Sequence, residues 1–248
     1  MVQKVKEQQK FIMRKILQIL ACIGLIFFIY GCSTPRPAFV ESAPAPKTFT
    51  QSKSALKKAY QKYHFTQEFY CRVEFDTTTL KIIPSPKYTP RNALTKQGKP
   101  NIRAQRIEFE HIMPTHRFGK DLPCWQNGGR KACAKDEKFT QMESDLRNLV
   151  PAIGEINADR SNYEYADAPE EIVFSQYGAC EVYTDFKAKR FYPAAYSKGF
   201  IARVYLYMSE KYGIVLESKE RVLMQQWDKL YPPSEYEKDL LHTQQTQP

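Results

Sequence analysis

Histidine is scarce in this chain of 248 residues, which has four. One of them, His111, stands in the densest run of reactive side chains, Arg106-Ile107-Glu108-Phe109-Glu110-His111-Ile112-Met113-Pro114. A second polar run, Asn148 to Asn162, carries Glu155, Asn157, Asp159 and Arg160. Between the two lies Cys124 to Cys133, with Trp125, Arg130 and Lys131. Hydrolysis of a phosphodiester needs a base for water, a cation on the phosphate and positive charge against the charge that develops. His111 can serve as the base, Glu110 and Asn157 as oxygen ligands of a hard cation, and Arg130 as the guanidinium. Glu108 and Glu155 are alternative ligands. His116 does not complete the H-E-x-x-H spacing of zinc peptidases and reads as a surface or supporting residue. Arg103, Arg106, Lys131 and Lys135 are either phosphate contacts or a solvated basic face, and Asp159–Arg160 is a candidate ion pair. Glu110 and His111 are consecutive, and successive strand side chains point to opposite faces. Both can serve one site only if the strand ends or bulges there, as the nearby Pro114 allows.

The elements that must position these groups read as follows. Apolar residues at Ala55, Leu56, Ala59, Tyr60 and Tyr63 have helical spacing over Ser52–Tyr63. Phe69, Cys71, Val73 and Phe75 alternate with polar residues, the period of a half-buried strand. Residues 84–101 are a proline-punctuated loop. Ile107–Met113 is a strand candidate. Asp136–Val150 and Pro151–Arg160 read as helices, with Pro151 as a first helical residue. Ile201, Val204, Tyr205, Met208 and Tyr212 mark one helix face, and Leu223–Leu230 a last helix before Pro232 and Pro233. Tyr163, Tyr165, Trp125 and Phe118 read as core. The mixture is α+β, without internal repeat, βαβ rhythm or glycine-rich phosphate loop.

Composition sets the wider frame. A hydrophobic content of 42% excludes a disordered chain, and 10 glycines exclude a collagen-like one. A mean hydropathy of −0.56 excludes a polytopic membrane protein. The net charge of +10 predicts a polyanionic partner or an acidic membrane surface. Residues 1–15 are basic and Ile16–Tyr30 apolar, the pattern of a signal peptide over 1–31. Gly31-Cys32 is similar to a lipoprotein acylation site, with Cys32 as the lipidated residue and 32–50 as a Pro/Ala-rich linker. The folded domain is then expected over 51–248, with a charge of +6 left after processing of 1–31. Cys22 and Cys32 belong to that leader, leaving Cys71, Cys124, Cys133 and Cys180 for two disulfides in an exported chain. Cys124–Cys133 is favoured because the pair brackets a short glycine-rich segment, and Cys71–Cys180 follows by elimination. A four-cysteine zinc site lacks the C-x-x-C pairs it needs.

Four segments carry a resemblance: RIEFEHIMPTHRFG (106–119), DLRNLVPAIGEINADRSNYEY (145–165), YGAC (177–180) and GFIARVYLYM (199–208). Over roughly Phe69 to Tyr212 the chain resembles the bacterial endonuclease I family of exported, non-specific nucleases. The resemblance implies a ββα-metal (His-Me finger) core embedded in a mostly helical mixed domain. It implies His111 as general base, Glu110 and Asn157 as ligands of one Mg²⁺ (Mn²⁺ or Ca²⁺ being able to occupy the site), and Arg130 near the scissile phosphate. Arg106, Lys131 and Arg160 are then expected to touch nucleic acid. The family's Asn-Pro-Phe signature near the C-terminus is absent, replaced by HTQQTQP after Leu241.

The expected protein is a monomeric, exported, Mg²⁺-dependent endonuclease, periplasmic or anchored to the envelope through Cys32. It would cut DNA, and RNA as well in many relatives, to 5′-phosphate ends. The competing expectation is an envelope lipoprotein that binds nucleic acid on a nuclease-like scaffold without cutting it.

Overall fold

A computed structural model describes residues 45–245. The expected signal peptide, Cys22, the acylation site Cys32 and most of the linker lie outside the described residues. The elements run α1 (Phe49–Lys62), β1 (Ile107–His111), α2 (Thr115–Gly119), α3 (Pro123–Gln126), α4 (Gly129–Ala132), α5 (Glu137–Glu143), β2 (Leu149–Ile153), α6 (Gly154–Arg160), β3 (Glu164–Tyr165), β4 (Tyr183–Asp185), β5 (Arg190–Tyr192), α7 (Ala195–Tyr212), α8 (Ser218–Leu230) and α9 (Glu235–Gln245). The architecture is α+β. β1 and β2 pair antiparallel, from Ile107 opposite Ile153 to His111 opposite Leu149. β3, β5 and β4 form a second small sheet. Leu56, Tyr60, Phe69, Ile112, Leu149, Ile156, Ile201, Met208 and Trp227 belong to one buried core, each such side chain contributing roughly 1.5–3 kcal/mol by leaving water.

α1 begins at Phe49, two residues inside the expected linker, because the Thr48 hydroxyl accepts from Gln51 N at 3.2 Å and caps the first turn. The largest correction concerns 136–160. α5 stops at Glu143, and Pro151 lies in the middle of a strand opposite Phe109, so it does not start a helix. The Pro151 carbonyl points away from β1 and accepts from Phe69 N at 2.7 Å. The nitrogen of an antiparallel strand residue faces the same way as its carbonyl, so the N–H that proline lacks costs β1–β2 no bond. The expected strand over 69–75 is a loop whose only β-pairing is at isolated bridges. Its backbone wraps the buried carboxylate of Glu68, which accepts from the amides of Tyr70 (2.9 Å), Cys71 and Val73 (3.4 Å). That local bonding displaces a ladder although the alternating residues are all buried.

α7 starts before Ile201, at Ala195, and ends at Gly213, whose φ of +67° suits the left-handed stop of a helix. Past Pro233 the chain makes one more helix, α9, where Gln244 Nε2 donates to Leu149 O at 2.8 Å. The C-terminal segment that departs from the family pattern therefore braces the back of β2. The disulfides are Cys71–Cys180 and Cys124–Cys133. No described helix is long and apolar enough to cross a membrane.

Candidate active site

The site lies along β1. Register is regular through His111, so the strand carries no bulge. A cleft of about 870 Å³ takes lining from residues of both strand faces, Glu108 and Glu110 as well as Phe109 and His111. The strand ends at His111, so the neighbouring side chains of Glu110 and His111 meet one space at its end without a bulge.

His111 is 7% exposed. Its ring lies 4.8 Å from the Phe49 ring, and Nε2 is 2.8 Å from the backbone carbonyl of Glu143. A carbonyl can only accept, so Nε2 carries the hydrogen and Nδ1 holds the lone pair. Nδ1 has no hydrogen-bond partner among the described residues. Burial pushes the pKa down to about 3, and the charges of Arg130 and Arg160 act in the same direction. The ring is a neutral base on the side of Nδ1.

Glu110 is buried. Its Oε1 accepts from Tyr70 OH at 3.1 Å and Arg160 Nη1 at 3.0 Å, while Oε2 has no partner among the described residues. Burial lifts its pKa to about 7 against the pull of Arg160. Asn157 reaches the cleft from α6, one turn ahead of Arg160. Its Nδ2 donates to Glu108 Oε2 at 3.2 Å, and the amide oxygen has no partner among the described residues. Glu108 is not free to bind a cation, because its carboxylate also holds Arg103 and Arg106, at 2.5 and 2.9 Å. α6 can come this close to β1 because Gly154 starts it. A Cβ there would stand 2.8 Å from both Arg103 O and Glu108 Cδ. Glu155, the other alternative ligand, is committed to the 88–101 loop, accepting from Tyr88 OH at 2.9 Å and Asn92 N at 2.8 Å.

Arg130 lies on the cleft with its Nε on Glu143 Oε1 at 2.5 Å and its guanidinium 5.1 Å from the Phe49 ring centroid. Its two Nη groups have no partner among the described residues. Arg106 lines the same cleft and its side chain is half exposed. Two expected nucleic-acid contacts are placed differently. Lys131 is exposed but does not line the cleft. The Arg160 side chain is 1% exposed, with its guanidinium on Glu110, on His111 O at 2.9 Å and on Ile112 O at 2.6 Å. It is a strut inside the site and reaches no phosphate. Nor does it pair with Asp159, which binds Arg91 at 2.7 Å. Asn148 clamps the turn after His111, exchanging bonds of 2.7 and 3.0 Å with Met113 N and O.

Phe49, Tyr70 and Glu143 are the site residues that sequence reasoning missed. Each is distant in the chain from what it touches, and no local pattern marks it.

The unpartnered oxygens of Glu110 and Asn157 are a hard donor pair. Among the described residues no group of three or more His, Cys, Asp or Glu gathers as a closed cage would require. One carboxylate and one amide oxygen fit a cation such as Mg²⁺, which keeps several waters.

The sequence matches the family described as Endonuclease I over residues 47–244. It is 43% identical over 222 residues to a periplasmic deoxyribonuclease of Aeromonas hydrophila, covering 88% of this chain and 86% of the relative. It is 41% identical over 208 residues to an extracellular deoxyribonuclease of the same organism, covering 81% and 86%. With Endonuclease-1 of Buchnera aphidicola subsp. Acyrthosiphon pisum it shares 40% identity over 198 residues, covering 74% and 78%.

Proposed function

Since the chain belongs to the endonuclease I family, we propose that this endonuclease hydrolyses DNA outside the cytoplasm, with His111 as base and one divalent cation held by Glu110 and Asn157. One observation carries the reading: three acceptors, His111 Nδ1, Glu110 Oε2 and Asn157 Oδ1, line a single cleft without partners among the described residues. A pure binding surface has no use for such a trio.

Glu110 and Asn157 would hold Mg²⁺, with Mn²⁺ or Ca²⁺ as substitutes. The bound cation supplies positive charge to the phosphate oxygens and to the leaving group. His111 Nδ1 takes the proton from a water lined up with phosphorus, and the Glu143 carbonyl steadies the imidazolium that forms by accepting from Nε2. Arg130 offers two free Nη groups, the fork that suits two phosphate oxygens. Arg106 extends the contact to a neighbouring phosphate; phosphates carry no sequence information, so cutting is non-specific. Export follows from the signal segment 1–31, and Cys32 acylation would tether the enzyme to the envelope.

The test is degradation of plasmid with Mg²⁺ present or chelated. His111→Ala is expected to lower kcat about 10²–10⁴-fold with an unchanged circular dichroism spectrum. Near-normal cutting by that variant would remove the assigned base.

A further inference from the structure

The geometry points to a second nucleic-acid contact surface, a groove that carries the DNA backbone away from the catalytic cleft. It rests on the nuclease reading above and deepens it. The groove holds about 790 Å³, and it opens into the cleft through Pro114, His116 and Asn162, which line both.

Its charges are unevenly matched. Five cations and three acids line it. Arg117 is neutralised by Glu220 at 2.7 Å and Arg190 by Glu164 at 2.8 Å. Lys120, Lys189 and Lys219 have no ion-pair partner among the described residues. They come from three separate places in the chain: the residue after α2, the β4–β5 turn and the first turn of α8. Here the fold collects these three lysines without ion-pair partners in one concavity, a surplus of two positive charges over the lining acids, that meets the cleft at Pro114 and His116. Glu217 is the one lining acid without an ion-pair partner.

A phosphodiester chain bound at His111 and Arg130 meets this groove as it leaves past His116. Phosphates there would be neutralised by the three ammonium groups, each displacing counterions. The groove adds affinity for long polymer and nothing to the chemistry, because none of the three lysines lines the cleft.

Binding of fluorescein-labelled duplex DNA, measured by anisotropy in EDTA across a salt series, reads the groove without catalysis. The full chain is compared with a Lys120→Ala/Lys189→Ala/Lys219→Ala variant and with Glu217→Gln. The triple variant is expected to bind about tenfold or more weakly near physiological salt, with a log–log salt slope reduced by about 2–3, at roughly 0.9 per lost phosphate contact. Glu217→Gln should bind more tightly. In Mg²⁺ the triple variant should keep kcat within about twofold at saturating DNA and low salt while its KM rises. An unchanged slope, or a fall in kcat with KM unchanged, would overturn the groove. If wild type binds with the full slope yet cuts nothing in Mg²⁺, the nuclease reading fails and the groove as a path from a catalytic cleft fails with it.

Discussion

Burial acts in opposite directions on the two neighbours at the centre of the site. It keeps His111 neutral down to about pH 3 and makes the Glu110 carboxyl hold its proton up to about pH 7. As the proposed base, the histidine is therefore unprotonated at every pH the cell meets, whereas Glu110, as the proposed ligand, must lose its proton before it can bind a cation. Below pH 7 each unit removes about nine-tenths of the carboxylate form, so the cation binds about tenfold more weakly per unit. The acid limb of the activity profile is expected near pH 7 at low Mg²⁺, moving to lower pH as Mg²⁺ is raised, because cation and proton compete for one oxygen. Initial rates over a grid of pH and Mg²⁺ check this. A limb that stays near pH 6.5 at every Mg²⁺ concentration would assign it to histidine instead.

Between single groups and the whole fold, α1 has a part that its distance in sequence conceals. Phe49, in its first turn, lies against His111, and the Arg130 guanidinium stands over the same ring. The plate thus sets the lateral position of the His111 ring and of the Arg130 guanidinium together. Phe49→Ala is expected to lower kcat by about ten- to a hundredfold, since displacement of a catalytic group by about 1 Å costs that much. A chain beginning at residue 51 should show the same loss, while one beginning at residue 45 should cut normally. Steady-state kinetics on the three proteins decide it, and an active chain from residue 51 would show that Phe49 is dispensable.

At the scale of the molecule, the two disulfides differ in what they restrain. Cys71–Cys180 closes a span of 109 residues and Cys124–Cys133 one of 9. By loop entropy they stabilise by about 5 and about 2.5 kcal/mol respectively. The long one also adjoins Tyr70, whose hydroxyl bonds Glu110 Oε1, so its loss should reach the cation site. Cys71→Ala/Cys180→Ala is expected to lower the melting temperature by roughly 10–20 °C, at about 2–4 °C per kcal/mol, and to raise the Mg²⁺ concentration needed for half-maximal rate. Cys124→Ala/Cys133→Ala should cost about half as much stability. Calorimetry with a Mg²⁺ titration measures both, and equal effects would contradict the assignment of Tyr70.

Residue types and short spacings singled out Glu110 beside His111, Asn157 on the following helix and Arg130 between the cysteines, candidates that line one cleft, and the α+β mixture was legible as well. Local periodicity also marked α1, which buries Leu56, Ala59 and Tyr60 along one face, and the stretch of α7 that buries Ile201, Val204, Tyr205 and Met208. What it could not decide was anything fixed by a distant partner. Pro151 reads as a helix start until the outer edge of β2 is seen to need no N–H there. The alternation at 69–75 reads as a strand until Glu68 gathers its amides. Arg160 reads as a phosphate contact until Glu110 and two carbonyls enclose it. Only the tertiary structure brings Phe49 and Glu143 to His111, because a hydrogen bond or a ring contact depends on proximity in space, and chain separation carries no trace of it.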